Sequence, residues 1–269
     1  FLFTWIGRST VWNFLPIYFE NHMTVFWVGV ATSLPSAITL LLDIPAGNLV
    51  QKAGEKIVIF IGLITAIFPP ILYYLAVPSM LVLGKGIEGV AKLFIWNGGW
   101  SLSLKSSDDD VESETVSVFL LGVNLAVIIG PILGGFLIAA HGFDITLGLW
   151  VFTSTVGVLI YLAYIGIEHD MTLKKSVEEV LQRKTYADEF HELKANWKDL
   201  RFPFSLVFLY SIIFSFYWVA IPLLLEKVSG DFAIMGLIFG VAALPKVFQF
   251  MFAELADRIG RSKTLAGLS

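Results

Sequence analysis

Cysteine is absent from the 269-residue chain, so disulfides and thiolate-held metals have no part in it. Charge is scarce as well: Asp, Glu, Lys and Arg make up 15%, against about 25% in soluble domains. The net charge is only -4 and no basic tract occurs, which leaves no electrostatic footprint for nucleic acid. Walker loops, HExxH, dinucleotide fingerprints and nucleophile–base motifs are all missing, so neither an enzyme nor an ATP-driven pump is expected, and no cofactor or metal. An initiating Met is missing too. The chain opens inside an apolar segment, FLFTWIGRSTVWNFLPIYF, and its start reads as a boundary with a short leader absent.

What the chain has instead is apolar length. Hydrophobic residues reach 57% and the mean hydropathy is +0.79. Runs near the roughly 20 residues needed to cross a bilayer recur along the whole chain. That recurrence excludes a lone signal peptide or anchor and predicts an all-α integral membrane protein. Turn and charge signals divide the runs into eight helices, at about 1–19, 24–50, 57–77, 80–104, 116–139, 145–167, 203–225 and 232–254, with a ninth starting near Thr264.

Loop charge orients them. Thirteen Lys and Arg fall on one side of the alternating loops and only Lys227 on the other. The rich side is therefore expected to be cytoplasmic, with the first helix running outward. It includes the longest polar segment, 168–202. There Phe190, Leu193, Trp197 and Leu200 share a helical face, as do Leu173, Val177, Val180 and Leu181, which predicts a cytoplasmic amphipathic linker. The acids of SSDDDVESE (Ser106 to Glu114) lack EF-hand spacing and read as a solvated loop before a helix N-terminus.

A repeat ties the two sides of this linker together. GNLVQKAGEK (Gly47 to Lys56) follows the second helix and AELADRIGRS (Ala253 to Ser262) follows the eighth, with Gly54 in register with Gly260. Glycine permits the tight turn, and acids and bases beside helix ends make charge-assisted bonds to neighbouring helices. These residues resemble the G-x-L-A-D-R-x-G-R-K loop of the major facilitator superfamily. The second copy matches at Asp257, Arg258, Gly260 and Arg261, and has Ala253 for the first Gly. The first copy keeps Gly47, Lys52 and Gly54 but has Gln51 for the acid and Glu55 for the following base. AVIIGPILGG, with Gly130, Pro131, Gly134 and Gly135, is similar to the superfamily's G-x-x-x-G-P-x-x-G-G pattern, with Ala126 in the first small position. GKGIEGVAK resembles R-x-x-Q-G, with Lys85 and Glu88 in place of Arg and Gln and Gly89 retained.

The resemblance implies a twelve-helix bundle of two halves that rock about a midplane site. Residues 1–167 then form the N-terminal six-helix bundle, and 203–269 begin the C-terminal one, with its remaining helices beyond Ser269. It further implies that the loops at Gly47–Gly54 and Asp257–Arg261 latch the cytoplasmic face. The fifth-helix pattern is associated mainly with antiporters, and the base at Lys85 with proton coupling.

Ionisable side chains inside spans cost at least about 2.5–3.5 kcal/mol each and mark function by default. Six stand out: Arg8, Asp43, Lys85, Glu88, Lys92 and Lys246. Lys85, Glu88 and Lys92 share one helical face, and Glu88 can pair with either lysine, as a closed structural network or as a substrate or proton site. Arg8 has Trp12 one turn away and Asn13 nearby; it meets either the triad or Asp43. Asp43, in LLDIPAG, is a proton carrier or a helix-packing partner. Lys246 follows Pro245 about midway along the eighth helix. Tyr217 and Trp218 in YSIIFSFYWVAIP either line a cavity or belong to an interfacial belt.

The expected function is transport of a small organic solute by alternating access, coupled to protons through Glu88 or Asp43, in the direction of an exporter or antiporter. The cationic excess around Arg8, Lys85 and Lys92 favours an anionic solute. A uniporter, or a non-transporting receptor or scaffold on the same fold, is the alternative. The expected partners are solute, protons and lipid, with the protein a multi-pass monomer of the cell membrane.

Overall fold

The computed structural model describes residues 2–105, 112–165 and 194–248, and these are helical with no strand among them. The chain runs through α1 (Leu2–Trp12), α2 (Leu15–Glu20), α3 (Val25–Ala53), α4 (Glu55–Thr65), α5 (Phe68–Tyr74), α6 (Pro78–Lys105), α7 (Glu112–His141), α8 (Phe143–Tyr164), α9 (Trp197–Ser229) and α10 (Phe232–Ala243). A 3-10 turn, Leu244–Phe248, ends the described part. Most of the linker, the later part of the eighth helix, the second loop copy and the start of the ninth run lie outside the described residues.

Proline decides where the expected helices break. The first run, expected as one helix, is two, because the ring of Pro16 collides with the carbonyl four residues back at Trp12. The third run divides likewise: Pro69 and Pro70 end α4 at Thr65, and α5 begins at Phe68. The eighth run leaves α-geometry at Ala243, ahead of Pro245, so Lys246 sits on a 3-10 turn and not midway along an α-helix. Pro35, Pro45 and Pro131, by contrast, are accommodated within α3 and α7. The seventh helix starts at Trp197, so Trp197 and Leu200 extend α9. Asp231 caps α10 by accepting from the Ala233 and Ile234 amides at 2.8 and 3.4 Å.

Four segments among the described residues, Val25–Ala53, Glu55–Tyr74, Leu120–His141 and Phe143–Tyr164, are long and apolar enough to cross a membrane. The outward faces are greasy: Phe26, Leu40, Ile213 and Phe216 are each at least 70% exposed. A lipid solvent explains that pattern, and it also removes the hydrophobic force between helices, so packing depends on close contact. Small residues supply it. A Cβ at Gly134 of α7 would land on the Thr10 carbonyl of α1, and one at Gly130 on Ser9. On another face of α7, Gly135 lies against Gly236 and the Phe232 carbonyl of α10. Thus α7 stands between α1 and α10. A second apolar cluster, with Phe14, Ile17, Ile138, Leu223, Met235 and Phe239, joins the early helices to α9 and α10.

Gly134→Ala is expected to lower unfolding stability by about 1–3 kcal/mol through overpacking. Gly148→Ala, where nothing lies within 4 Å of the added carbon, should stay within about 0.5 kcal/mol. Thermal unfolding in detergent compares the two.

Candidate functional site

The interior of the early helices is organised around one carboxylate. Glu88 on α6 accepts from Arg8 of α1 on Oε1, from Nε at 2.9 Å and Nη2 at 2.8 Å. On Oε2 it accepts from Lys85 Nζ at 2.9 Å and from the Tyr73 hydroxyl at 2.8 Å. Four donors fill the acceptor capacity of an ionised carboxylate. Lys85 and Glu88 are each only 3% exposed, so the pair is removed from solvent and lipid alike.

Helix geometry and local sequence bring these groups together. Lys85 and Glu88 stand one turn apart on α6. The proline break before α5 sets Tyr73 over Gly84, where a Cβ would meet the phenol ring. The Tyr73 carbonyl accepts from the Tyr18 hydroxyl at 2.8 Å, which ties α5 to α2. Aromatic rings cover the cations: Arg8 Cζ lies 4.9 Å from the Trp5 ring and 4.7 Å from Trp12, and Lys85 Nζ lies 5.8 Å from Phe19.

Of the sequence alternatives, Arg8 therefore joins the α6 acid. It does not pair with Asp43, whose Oδ1 instead accepts from Asn97 Nδ2 at 3.0 Å, an α3–α6 contact. Glu88 takes Lys85 as its lysine. Lys92, one turn further along α6, is exposed and makes no hydrogen bond or ion pair among the described residues. The ammonium of Lys246 lies 5.9 Å from the Trp218 ring, and its carbonyl accepts from Asn124 Nδ2 of α7 at 3.0 Å. Trp218 in turn packs on Trp12 with ring centroids 4.2 Å apart and planes tilted by 42°, and it meets Tyr217 edge-on at 5.6 Å. One aromatic ladder thus runs from Lys246 to Arg8. Asn13 is buried at the α1–α2 break, with its Oδ1 unpartnered among the described residues.

At the end of α3, Gly54 adopts φ +87° and turns the chain directly into α4. Gly47 and Lys52 lie in the last two turns of α3. Glu55, directly after Gly54, forms an ion pair with Lys105 at the far end of α6. The Tyr161 hydroxyl donates to the Lys56 carbonyl at 2.8 Å. The second-copy residues Asp257, Arg258, Gly260 and Arg261 lie outside the described residues.

The family model of the Major Facilitator Superfamily matches residues 1–269, the whole chain. The chain belongs to that superfamily. With its apolar helices, this makes it a multi-pass membrane protein of a transporter family. An uncharacterised MFS-type transporter of Schizosaccharomyces pombe is 28% identical over 249 residues, covering 82% of this chain and 54% of the relative. The quinolone resistance protein NorA of Staphylococcus aureus is 25% identical over 212 residues, covering 77% and 52%. A Na(+), Li(+), K(+)/H(+) antiporter of Planococcus maritimus is 20% identical over 156 residues, covering 56% and 37%. The chain spans about half the length of the first two relatives.

Four participants escaped the sequence reading of this superfamily member. Tyr73 was visible only as an aromatic after paired prolines. Glu55 stood at a position read as a lost base. Gly236 and Gly240 form a plain small-xxx-small pair in GLIFG, a signal that periodicity alone passes over.

Removing the carboxylate strands two cations, so Glu88→Gln should cost about 3–5 kcal/mol of stability. Tyr73→Phe deletes one charge-assisted bond and should cost about 1.5–3 kcal/mol. Unfolding midpoints in detergent rank the variants; equal midpoints mean that the carboxylate does not hold α1 to α6.

Proposed function

We propose that this chain forms the first six-helix half, residues 1–167, a cytoplasmic linker, 168–202, and the opening helices, from 203, of a twelve-helix secondary active transporter. It moves a small organic solute by alternating access and couples that movement to protons. The observation that carries this reading is the Glu88 clamp. One ionisable carboxylate holds α1 to α6 through Arg8, and it also accepts from Tyr73 of α5. A proton on Glu88 cancels the attraction for Arg8 and Lys85 together, freeing α1 from α6 and leaving two cations without a counter-charge. Protonation is thereby coupled to helix position and to the charge offered to solute.

Export by proton antiport is the second reading, favoured by the Gly130–Pro131–Gly134–Gly135 pattern and by what two relatives are named for, quinolone resistance and cation/proton antiport. On that reading a cationic solute competes for Glu88 and has to displace Arg8 or Lys85. Asp43, held by Asn97, then becomes the rival proton carrier.

The test is proton flux in proteoliposomes carrying the gene product at its natural length, with a pH dye inside and a panel of organic anions, cations and neutral solutes outside. Solute-driven proton movement is expected from the parent protein and should be lost in Glu88→Gln. Solute movement without proton movement in the parent protein points to a facilitator, and neither movement to a receptor or scaffold. Unchanged coupling in Glu88→Gln transfers the proton role to another acid.

The loop charges give the orientation, with the linker in the cytoplasm of a cell-membrane protein. On a cysteine-free background, Lys227→Cys should react with an impermeant maleimide added to intact cells, and Lys52→Cys only after permeabilisation. The reverse pattern inverts the topology.

A further inference from the structure

Tyr73 is bonded at both ends. Its hydroxyl donates to Glu88 Oε2 at 2.8 Å, while its backbone carbonyl accepts from the Tyr18 hydroxyl at 2.8 Å and from the Ala76 amide at 2.9 Å. We propose that Tyr73 is a positioning residue of the Glu88 proton switch: it carries the charge state of that carboxylate into the short helix α5, which loosens from α6 and α2 when Glu88 takes a proton. This rests on the transport reading for the purpose of the proton, and adds how its arrival is passed on.

Helix α5 is built to respond as a unit. It has seven residues, Phe68–Tyr74, and neither end runs on into a longer helix. Pro69 and Pro70 separate it from α4. On its other side Ala76 takes φ +56° and is the one non-glycine with a positive φ among the described residues. Backbone of that kind persists only where its surroundings hold it. Here part of the hold is the Tyr73 carbonyl, to which the Ala76 amide donates. A shift of Tyr73 therefore reaches this strained turn directly.

The ring of Tyr73 leaves little room for a private movement. It is fully buried, lies where a Cβ on Gly84 would meet it, sits edge-on to Phe19 at 5.3 Å and packs beside Trp150 at 6.0 Å. Hydroxyl and carbonyl thus move together, and α5 with them. The bond to the ionised carboxylate is charge-assisted and about twice as strong as one between neutral groups. A proton arriving from solvent on Glu88 removes that assistance. The Tyr18 and Ala76 bonds are between neutral groups and keep their strength, so the link that changes is the one from α5 to α6.

Few other groups act on this carboxylate. Arg8 comes from α1 and Lys85 from α6 itself, where Lys92 one turn on is exposed. Asp43 of α3 is held by Asn97, and Glu55 of α4 pairs with Lys105 at the far end of α6. Helix α7 has no titratable residue between Glu114 and His141, and α8 has none between Asp144 and Tyr161. Among the described residues, Tyr73 is the neutral donor on Glu88.

Hydrogen exchange of the natural-length protein in detergent tests the link, read by mass spectrometry on peptides spanning α5 and α1. Glu88→Gln, uncharged like the protonated acid, should speed exchange in the α5 peptide at least about tenfold. Tyr73→Phe, which keeps the ring and removes the hydroxyl, should speed α5 to a similar extent while leaving α1 as in the parent protein. The double variant should go no further than Glu88→Gln alone. Tyr18→Phe removes the neutral tie, and α5 should still respond to Glu88→Gln on that background. In proteoliposomes, Tyr73→Phe should move the half-maximal pH of coupled flux upward, because a donor that favours the charged carboxylate has gone; a purely structural loss lowers flux at every pH alike. An α5 peptide that ignores Glu88→Gln, additive effects of the two variants, or an unmoved pH profile overturns the proposal. Should Glu88→Gln fail to fold, Tyr73→Phe alone decides, through the α5 peptide and the pH profile. Loosening of α5 without coupled flux in the parent protein leaves the link standing and removes the transport reading; flux lost in Glu88→Gln with α5 unmoved does the opposite.

Discussion

Glu88 is the point on which the early helices depend. A carboxylate buried to 3% exposure is tolerable only because four donors from α1, α5 and α6 surround it. Each of those donors is fixed by something else: Arg8 by two indole rings, Tyr73 by its own carbonyl's bond to Tyr18, and Lys85 by the helix that carries Glu88. Were the acid an amide, as the related pattern has it, the two cations would have no reason to be so deep. The acid at Glu88, where the related pattern has an amide, and the arginine at Arg8 therefore belong to one arrangement.

Packing around the clamp follows from the solvent. In lipid, apolar side chains gain little by leaving their surroundings, so helices associate where backbones can approach. Gly130 and Gly134 bring α7 against α1, Gly135 and Gly236 bring it against α10, and Gly89 brings α6 against Pro35 of α3. The large aromatic residues are then free for two other uses. Some face outward, as Phe26 and Phe216 do, and others, such as Trp5 and Trp12, shield Arg8 inside.

Much of this was readable in the sequence because hydropathy and charge are one-dimensional signals. Helical class, the family resemblance, the Lys85–Glu88–Lys92 face and the small-residue stripe of α7 all follow from spacing along a single segment. What spacing cannot convey is which segment lies opposite. Arg8 had two acids to choose from, and only the fold shows that α1 reaches α6 while Asp43 is taken by Asn97. Tyr73 and Glu55 were missed for the same reason, since each acts on a residue far along the chain. The helix breaks at Trp12, Thr65 and Ala243 are a different case. Pro16, Pro69 and Pro245 announced them, but Pro35, Pro45 and Pro131 sit within continuous helices, so proline alone does not separate a bend from a break.

The glycine faces of α7 have a mechanical side. Interlocked side chains act like gear teeth: they resist both parting and slipping, because a knob must climb out of its hole before either can happen. Two backbones meeting at Gly130 and Gly134, or at Gly135 and Gly236, have no teeth at those points. Such a joint holds its two members close at those points, and interlocking is left to neighbours such as Ile132, whose side chain seats over Gly240. With α1 and its arginine on one face and α10 on the other, α7 is the joint that the two share.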